Sequence, residues 1–435
     1  MKNIETVTVI GVTGTMGANI AGIFASFGNA KVYCVGRNIE KVYATIPRIV
    51  KSVRADSIAD NLYPASFNEL EKCVSESDLI FESSAEVLSI KLDIAKRVAG
   101  AMRLDAISCT GTSGLSITEI SKKYPNNLRK RFFGVHMFNP PYYMTLCELI
   151  SSDYSDVLVK NEFKDYLIER LHRTVTEVKD SPAFLGNRIG FQFINEALQY
   201  AEKYKDNGGI DYIDAILGTF TGRAMPPLLT SDFVGLDVHK AIVDNIYNNT
   251  FDFVHDTFVL PSFAEKLIES NCLGKKTGVG LYQTIKYDNG FKRHTVFDVR
   301  TGVYRDIKKY VFPFSDIMKE AIANGDYYFA LKQLINNTSL ESRICLYFLV
   351  KYIVYSLFAS QNLGENLDAA DDVMATGFNW CPPLALINAL LDIVDVEQLI
   401  KVQFPILWNS IDVKALFNQL RPSKYDFRKF FKAGS

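Results

Sequence analysis

The chain has little of what would tie it to a membrane, a nucleic acid or an oxidising compartment. Its seven cysteines (Cys34, Cys73, Cys109, Cys147, Cys272, Cys345, Cys381) are odd in number and never spaced C-x-x-C, which argues against a disulfide framework and a structural zinc site. They read as reduced thiols in a cytoplasm, and no metal site is expected. Net charge is small as well. The 48 Lys and Arg residues against 49 Asp and Glu leave −1, so nothing recommends nucleic acid or an anionic membrane, and a small molecule is the expected partner. The most apolar stretch, Ile344 to Ala359, carries Lys351 in its middle. It falls short of the ~20 residues that cross a bilayer, which predicts a buried helix. The strand-like run Val7 to Ile10 begins too early to leave room for a signal-peptide core.

What is present is an ordinary globular composition, 48% hydrophobic and 22% charged over 435 residues. That length suggests two to four domains at roughly 100–200 residues each. Residues 1 to about 150 alternate short β-branched runs with helical patterns, which predicts a doubly wound, Rossmann-like parallel sheet. The strand candidates are Val7–Ile10, Lys31–Val35, Leu79–Glu82, Ala106–Cys109 and Phe132–His136, with helices over Ala18–Phe27, Ile39–Val53 and Leu88–Ala101. From Pro182 the pattern turns helical, with Ser181 as N-cap and Pro182 at the first helical position of a long helix. Asn289-Gly290 and Thr301-Gly302 predict hairpin turns in a β connector, after which the chain is helical to a basic aromatic tail. The expected division is a dinucleotide-binding domain over 1–179, a helical domain over 180–283, the connector over 284–315 and a second helical domain over 316–435.

One internal echo supports that division. Ile210-Asp211, Asp214 and Met225-Pro226-Pro227-Leu228 recur as Leu367-Asp368, Asp371 and Cys381-Pro382-Pro383-Leu384. Two amphipathic helices can resemble one another by chance, but the shared order of helix, loop and Pro-Pro-Leu favours a duplicated helical domain.

Gly11, Gly14 and Gly17 follow the first strand and open a helix, where glycines let the backbone approach a pyrophosphate at a helix N-terminus. Thr15 and Met16 lie within the same turn and count as cofactor-binding candidates. The spacing G-x-x-G-x-x-G is one residue longer than the usual dinucleotide fingerprint. After the second strand, Gly36-Arg37 stands where an acidic residue would grip a ribose 2′-hydroxyl. Arg37 can pair with a 2′-phosphate or be an ordinary surface cation, so NAD and NADP both stay open. His136 ends a predicted strand and Glu148 follows it, a pairing suited to a proton acceptor held by a carboxylate.

The sequence resembles the 3-hydroxyacyl-CoA dehydrogenases of fatty-acid oxidation. The resemblance rests on Gly134-Val135-His136-Met137-Phe138-Asn139-Pro140, Glu148, Lys179-Asp180-Ser181-Pro182-Ala183-Phe184 with Asn187-Arg188, Asp232 to Val238, and Gly274-Lys275-Lys276-Thr277-Gly278 with Gly280 and Tyr282. It implies the sheet domain followed by helical domains of the 6-phosphogluconate-dehydrogenase C-terminal type, the second a copy of the first. It also implies that His136 exchanges the 3-hydroxyl proton, that Glu148 orients it, and that Ser113 and Asn187 bind the substrate oxygen, with Gly111 where the family has asparagine. Glu86 and Lys91 match the family's pair near the nicotinamide and its ribose. Each has a plainer reading: Ser113 as a helix cap, Asn187 as a satisfied helix polar residue, Glu86 and Lys91 as surface charges.

Some residues depart from the family pattern. The segment between Arg37 and Leu79 is shorter than in the family, where it helps bind CoA, and Pro226-Pro227 and Thr145 replace family residues. The expected substrate is an acyl thioester, on CoA or on a carrier protein. An NADP-dependent reductase of another 3-hydroxy substrate and a non-catalytic nucleotide-binding scaffold stand as alternatives. The duplication admits a monomer, and a homodimer stays open.

Overall fold

The computed structural model describes residues 4–288 and 290–434, so Asn289 of the Asn289-Gly290 turn lies outside the described residues. One sheet organises the first part of the chain, with strands β1 (Thr6–Ile10), β2 (Lys31–Gly36), β3 (Leu62–Ser66), β4 (Leu79–Glu82), β5 (Ile107–Thr110), β6 (Phe132–Met137), β7 (Leu146–Ser151) and β8 (Thr174–Val178). Their spatial order is β3-β2-β1-β4-β5-β6-β7-β8, and every neighbouring pair is parallel except β6 with β7. Every residue of β4, β5 and β6 is buried, so these strands lack the in-and-out alternation of a half-exposed sheet, and the polar residues they carry, such as Ser108 and Thr110, are buried with the rest. The intervening helices include α1 (Thr15–Ser26), α2 (Ile39–Val53), α3 (Leu70–Glu76), α4 (Leu88–Ala101) and α5 (Ile117–Ser121). From β1 the chain winds outward to β3, then crosses back to β4, so a crevice opens at the carboxyl ends of β1 and β4.

Three strands escape the sequence reading. β3 carries Pro64, tolerated because this strand is the sheet edge; β7 and β8 flank a helix, Val157–Asp165, in a stretch where the sequence reading assigned no strand. The helix expected from Ser181-Pro182 begins only at Gly186. Ala183 and Phe184 have φ of 60° and 54°, and the Phe184 N–H donates to the Ser181 carbonyl at 2.9 Å. Two consecutive left-handed residues cannot continue a right-handed helix, so the helix restarts beyond them.

The contacts divide the chain into two units, one reaching Phe184 and taking in Leu363–Glu365, the other holding the remainder from Leu185. In the first, Gly364 bridges Val178 and covers part of the β8 edge. In the second, the helix Gly186–Lys203 is buried along most of its length, with Phe193 packed edge-on against Phe348 and Trp380. The helix Leu340–Leu363 has 24 residues, longer than the apolar stretch alone predicts, and is long and apolar enough to cross a membrane by length and composition. Most of its apolar length is buried, and Lys351 on it pairs with Glu196 at 2.7 Å. Strands β9 (Tyr282–Lys286), β10 (Lys292–Phe297) and β11 (Tyr304–Asp306) form a separate antiparallel sheet.

The internal echo has a physical basis. A helix that opens Pro-Pro-Leu has no side chain at its N-cap able to accept its orphan N–H groups. Asp214 therefore accepts from Leu228 and Leu229 at 2.8 and 3.0 Å, and Asp371 accepts from Leu384 at 2.7 Å. In each of the two segments an arginine further along the chain holds the first aspartate, Arg305 on Asp211 and Arg421 on Asp368.

His239 is fully buried on the helix Leu236–Asn249. Asn195 donates its amide to the Thr257 and Val259 carbonyls, so its Oδ1 must accept from His239 Nε2 at 2.9 Å, while Ser231 Oγ donates to Nδ1 at 3.0 Å. Burial pushes this imidazole down to about 3, below its unfolded value near 6.5. Its contribution to stability is therefore present above the unfolded value and lost as pH falls toward 3. In urea titrations the stability gap between the parent and His239→Gln should narrow by about 2 kcal/mol from pH 7 to pH 5; a gap independent of pH would contradict the assigned protonation.

Candidate active site

The antiparallel turn from β6 into β7 converts a separation of 12 residues into a direct cross-strand pair, His136 opposite Glu148. Nδ1 of His136 lies 2.6 Å from Glu148 Oε2, and both side chains are buried. A buried carboxylate that distance from a ring nitrogen fixes the tautomer: Nδ1 carries the proton, and Nε2 is left as the basic nitrogen. The rings of Phe138 and Phe184 lie 4.5 and 5.7 Å from the imidazole, limiting its rotation. The pair can accept and return one proton, with the carboxylate offsetting the imidazolium charge.

At the same carboxyl edge, the crevice between β1 and β4 opens into a cavity of about 500 Å³ lined by residues including Gly11, Gly14, Gly36, Arg37, Ser84 and Asp93. Gly11 has φ of +88°, and a Cβ there would sit 2.3 Å from the Ser83 carbonyl oxygen; one on Gly17 would sit 2.4 Å from the Gly11 oxygen. Gly14 is the N-cap of α1 and no side chain caps that helix, so its first turn presents backbone N–H groups with a favourable dipole. A close-approach backbone beside an uncapped helix terminus suits a dinucleotide pyrophosphate. Thr15 begins α1 and is exposed, and Met16 is half-buried against the apolar core. Arg37, exposed at the end of β2, reaches this cavity as well.

Glu86 and Lys91 are not independent surface charges. Lys91 is fully buried on α4, 3.0 Å from Glu82 and 3.6 Å from Glu86. Burial works to raise the Glu82 carboxyl, but the Lys91 ammonium and donors from Ser84 and Thr110 outweigh it and hold the group below the usual carboxylate range. Glu86 accepts from the Thr112 hydroxyl and from the Ser113 N–H at 2.7 Å. The base of that loop is held by Asp180, which takes Ser116 Oγ and the Ile117 and Thr118 N–H groups at 2.8–3.0 Å. Ser116, not Ser113, is the residue that caps α5.

The first unit thus brings together His136 with Glu148, and separately Ser113 with Glu86 and Lys91, along one sheet edge. Asn187 belongs to the second unit, as the buried second residue of the helix Gly186–Lys203. Three participants were given no site role by the sequence reading. Glu82 looks like the end of a strand, Asp180 like linker, and Asn139, whose Oδ1 meets Asn19 Nδ2 of α1 at 3.4 Å, like part of a turn. For Glu82 a signal existed: an ionisable residue closing an apolar strand beside the crevice.

The sheet order and the glycine cradle together define a dinucleotide-binding protein of the doubly wound class. Residues 6–181 match the 3-hydroxyacyl-CoA dehydrogenase NAD binding domain and residues 184–284 match the C-terminal domain of the same enzymes. The chain belongs to the 3-hydroxyacyl-CoA dehydrogenase family. It is 32% identical to the 3-hydroxybutyryl-CoA dehydrogenase of Clostridioides difficile over 63% of this chain and 97% of that protein. A Rickettsia prowazekii protein assigned as a fatty acid oxidation complex trifunctional enzyme is 24% identical over 98% of this chain and 60% of that protein. Across the first relatives the chain spans between 39% and 60% of their length. The solved structure of 3-hydroxybutyryl-CoA dehydrogenase from Escherichia coli shares the fold with a TM-score of 0.70, at 21% identity and 97% coverage of each chain.

Because a methyl on Gly17 would collide with the backbone of Gly11, Gly17→Ala should weaken nicotinamide dinucleotide binding by at least about tenfold, a loss of ~1.4 kcal/mol. Fluorescence titration with NADH reads this directly, and unchanged affinity would remove the cradle from the site.

Proposed function

We propose that the chain interconverts L-3-hydroxyacyl and 3-oxoacyl thioesters of CoA by hydride exchange with a nicotinamide dinucleotide. The observation that carries this reading is the buried His136–Glu148 pair at 2.6 Å, on the same sheet edge as the glycine cradle. When bound, the dinucleotide supplies the hydride acceptor or donor; Gly11, Gly14, Thr15, Met16 and Gly17 would hold it, with Glu86 and Lys91 toward its nicotinamide end. His136 Nε2 takes the 3-hydroxyl proton as the C3–H electron pair departs, and Glu148 keeps the proton on Nδ1 and stabilises the cation. In reduction the same imidazolium returns its proton to the carbonyl oxygen. Ser113 serves as a donor to that oxygen, which carries most negative charge midway through the reaction.

NAD is the cofactor that the matched domain names. We extend the reading to NADP, because no carboxylate follows β2 where one would repel a 2′-phosphate and Arg37 stands at the cavity. The seven cysteines, all free of disulfides, support a reducing cytoplasm. The packed helical copies support a monomer, and a carrier-protein thioester is the second substrate reading.

His136→Ala should lower kcat for NADH-driven reduction of a short 3-oxoacyl-CoA by about 10²-fold or more, with the dissociation constant for NADH changed less than about twofold; surviving activity would dismiss the assigned proton carrier. Arg37→Ala should raise the NADPH dissociation constant by about tenfold, the scale of one charge-assisted bond, and leave NADH alone. Equal effects on both would return the cavity to NAD.

A further inference from the structure

Glu82 closes β4 as a buried carboxylate, and four donor contacts converge on it. Oε1 accepts from the Ser84 N–H at 2.6 Å and Lys91 Nζ at 3.1 Å; Oε2 accepts from Thr110 Oγ1 at 2.5 Å and Lys91 Nζ at 3.0 Å. These donors come from the turn after β4, from β5 and from α4. Lys91 is 1% exposed, so its ammonium requires a partner, and Glu82 is the nearer of its two carboxylates. Glu86 is the other, at 3.6 Å, and it divides its oxygens between Lys91 and the loop tip, where it receives the Thr112 hydroxyl and the Ser113 N–H.

We infer that Glu82 is a positioning residue for the proposed reaction: by meeting the charge of Lys91 it leaves Glu86 aimed at the loop that carries Ser113. The physical argument is a competition for Glu86. With Glu82 charged, Lys91 has a carboxylate in full contact and draws only weakly on Glu86. With Glu82 neutral, Glu86 is the carboxylate left to the buried ammonium; its side chain is 45% exposed and has room to swing toward Lys91, which pulls it off the Ser113 N–H. The base of the loop does not follow, because Asp180 holds Ser116, Ile117 and Thr118 independently. Only the tip, residues 112–114, is released. The inference rests on the functional reading above, since it assigns Ser113 a part in the chemistry.

The test is Glu82→Gln, which keeps the shape and removes the charge. Amide hydrogen exchange at residues 112–114 should accelerate about tenfold or more while residues 116–118 keep their protection, and kcat for reduction of a short 3-oxoacyl-CoA should fall by about 10- to 100-fold, as a small misplacement of a catalytic group costs. Adding Lys91→Met removes the competing charge, so exchange at the tip in the double variant should return to within about twofold of Lys91→Met alone. A merely structural role for Glu82 would loosen both ends of the loop and would not respond to Lys91. If Glu82→Gln does not fold, Glu82→Asp retracts the carboxylate from Lys91 while keeping its charge; faster exchange at 112–114 with 116–118 still protected then supports the inference, and parent-like exchange at the tip overturns it. A parent that turns over thioesters alongside a Glu82→Gln variant with parent-like kcat overturns this inference alone. A parent that turns over none fails the functional reading and this one with it.

Discussion

A fully buried glutamate facing a buried imidazole is the constraint on which the rest of the site depends. Glu148 has no exposure to water, and desolvating a carboxylate is among the larger penalties a fold can carry. The partner that offsets it must arrive in one register, because moving β7 by one residue would turn Glu148 to the other face of the sheet. The single antiparallel pairing in an otherwise parallel sheet supplies that register. A parallel β7 would need a long crossover and would not oppose Glu148 to His136 after a turn this short.

The neighbouring features follow the same logic of charge placed where it is already matched. α1 offers an uncapped N-terminus where an anionic pyrophosphate would lie, while Lys91, buried at the next strand end, is flanked by two carboxylates. Glu86 and Asp180 hold the tip and the base of the Ser113 loop from separate elements. The helical part repeats one solution twice: a distant aspartate caps a Pro-Pro-Leu helix and an arginine from later in the chain fixes the aspartate's neighbour.

Much of the architecture was legible because it is written in periodicity. The runs around β1, β2, β4, β5 and β6 are apolar enough to read as buried strands, and α2 and α4 fall where their patterns end. The strands that escaped are those whose identity comes from neighbours. β3 is an edge strand containing proline, and β7 and β8 join the sheet only after the chain has reversed direction. The Ser181-Pro182 signal is a sound local start for a helix, yet the left-handed pair Ala183-Phe184 intervenes. Phe184 packs against His136, so the turn answers to a contact that no local pattern contains.

Local chemistry alone marked out the glycines at the first turn, the absence of a carboxylate after the second strand, and His136 and Glu148 as residue types able to share a proton. A glycine's tolerance for close approach and an imidazole's titration range belong to the residue itself, so they are visible wherever the residue stands. Which carboxylate meets which cation belongs to the tertiary structure. Lys91 looks like a surface lysine until β4, β5 and α4 close around it, and Glu82 like a strand terminus until four donor contacts converge on its oxygens. Burial makes such charges depend on specific partners, and burial is a property of the packed chain.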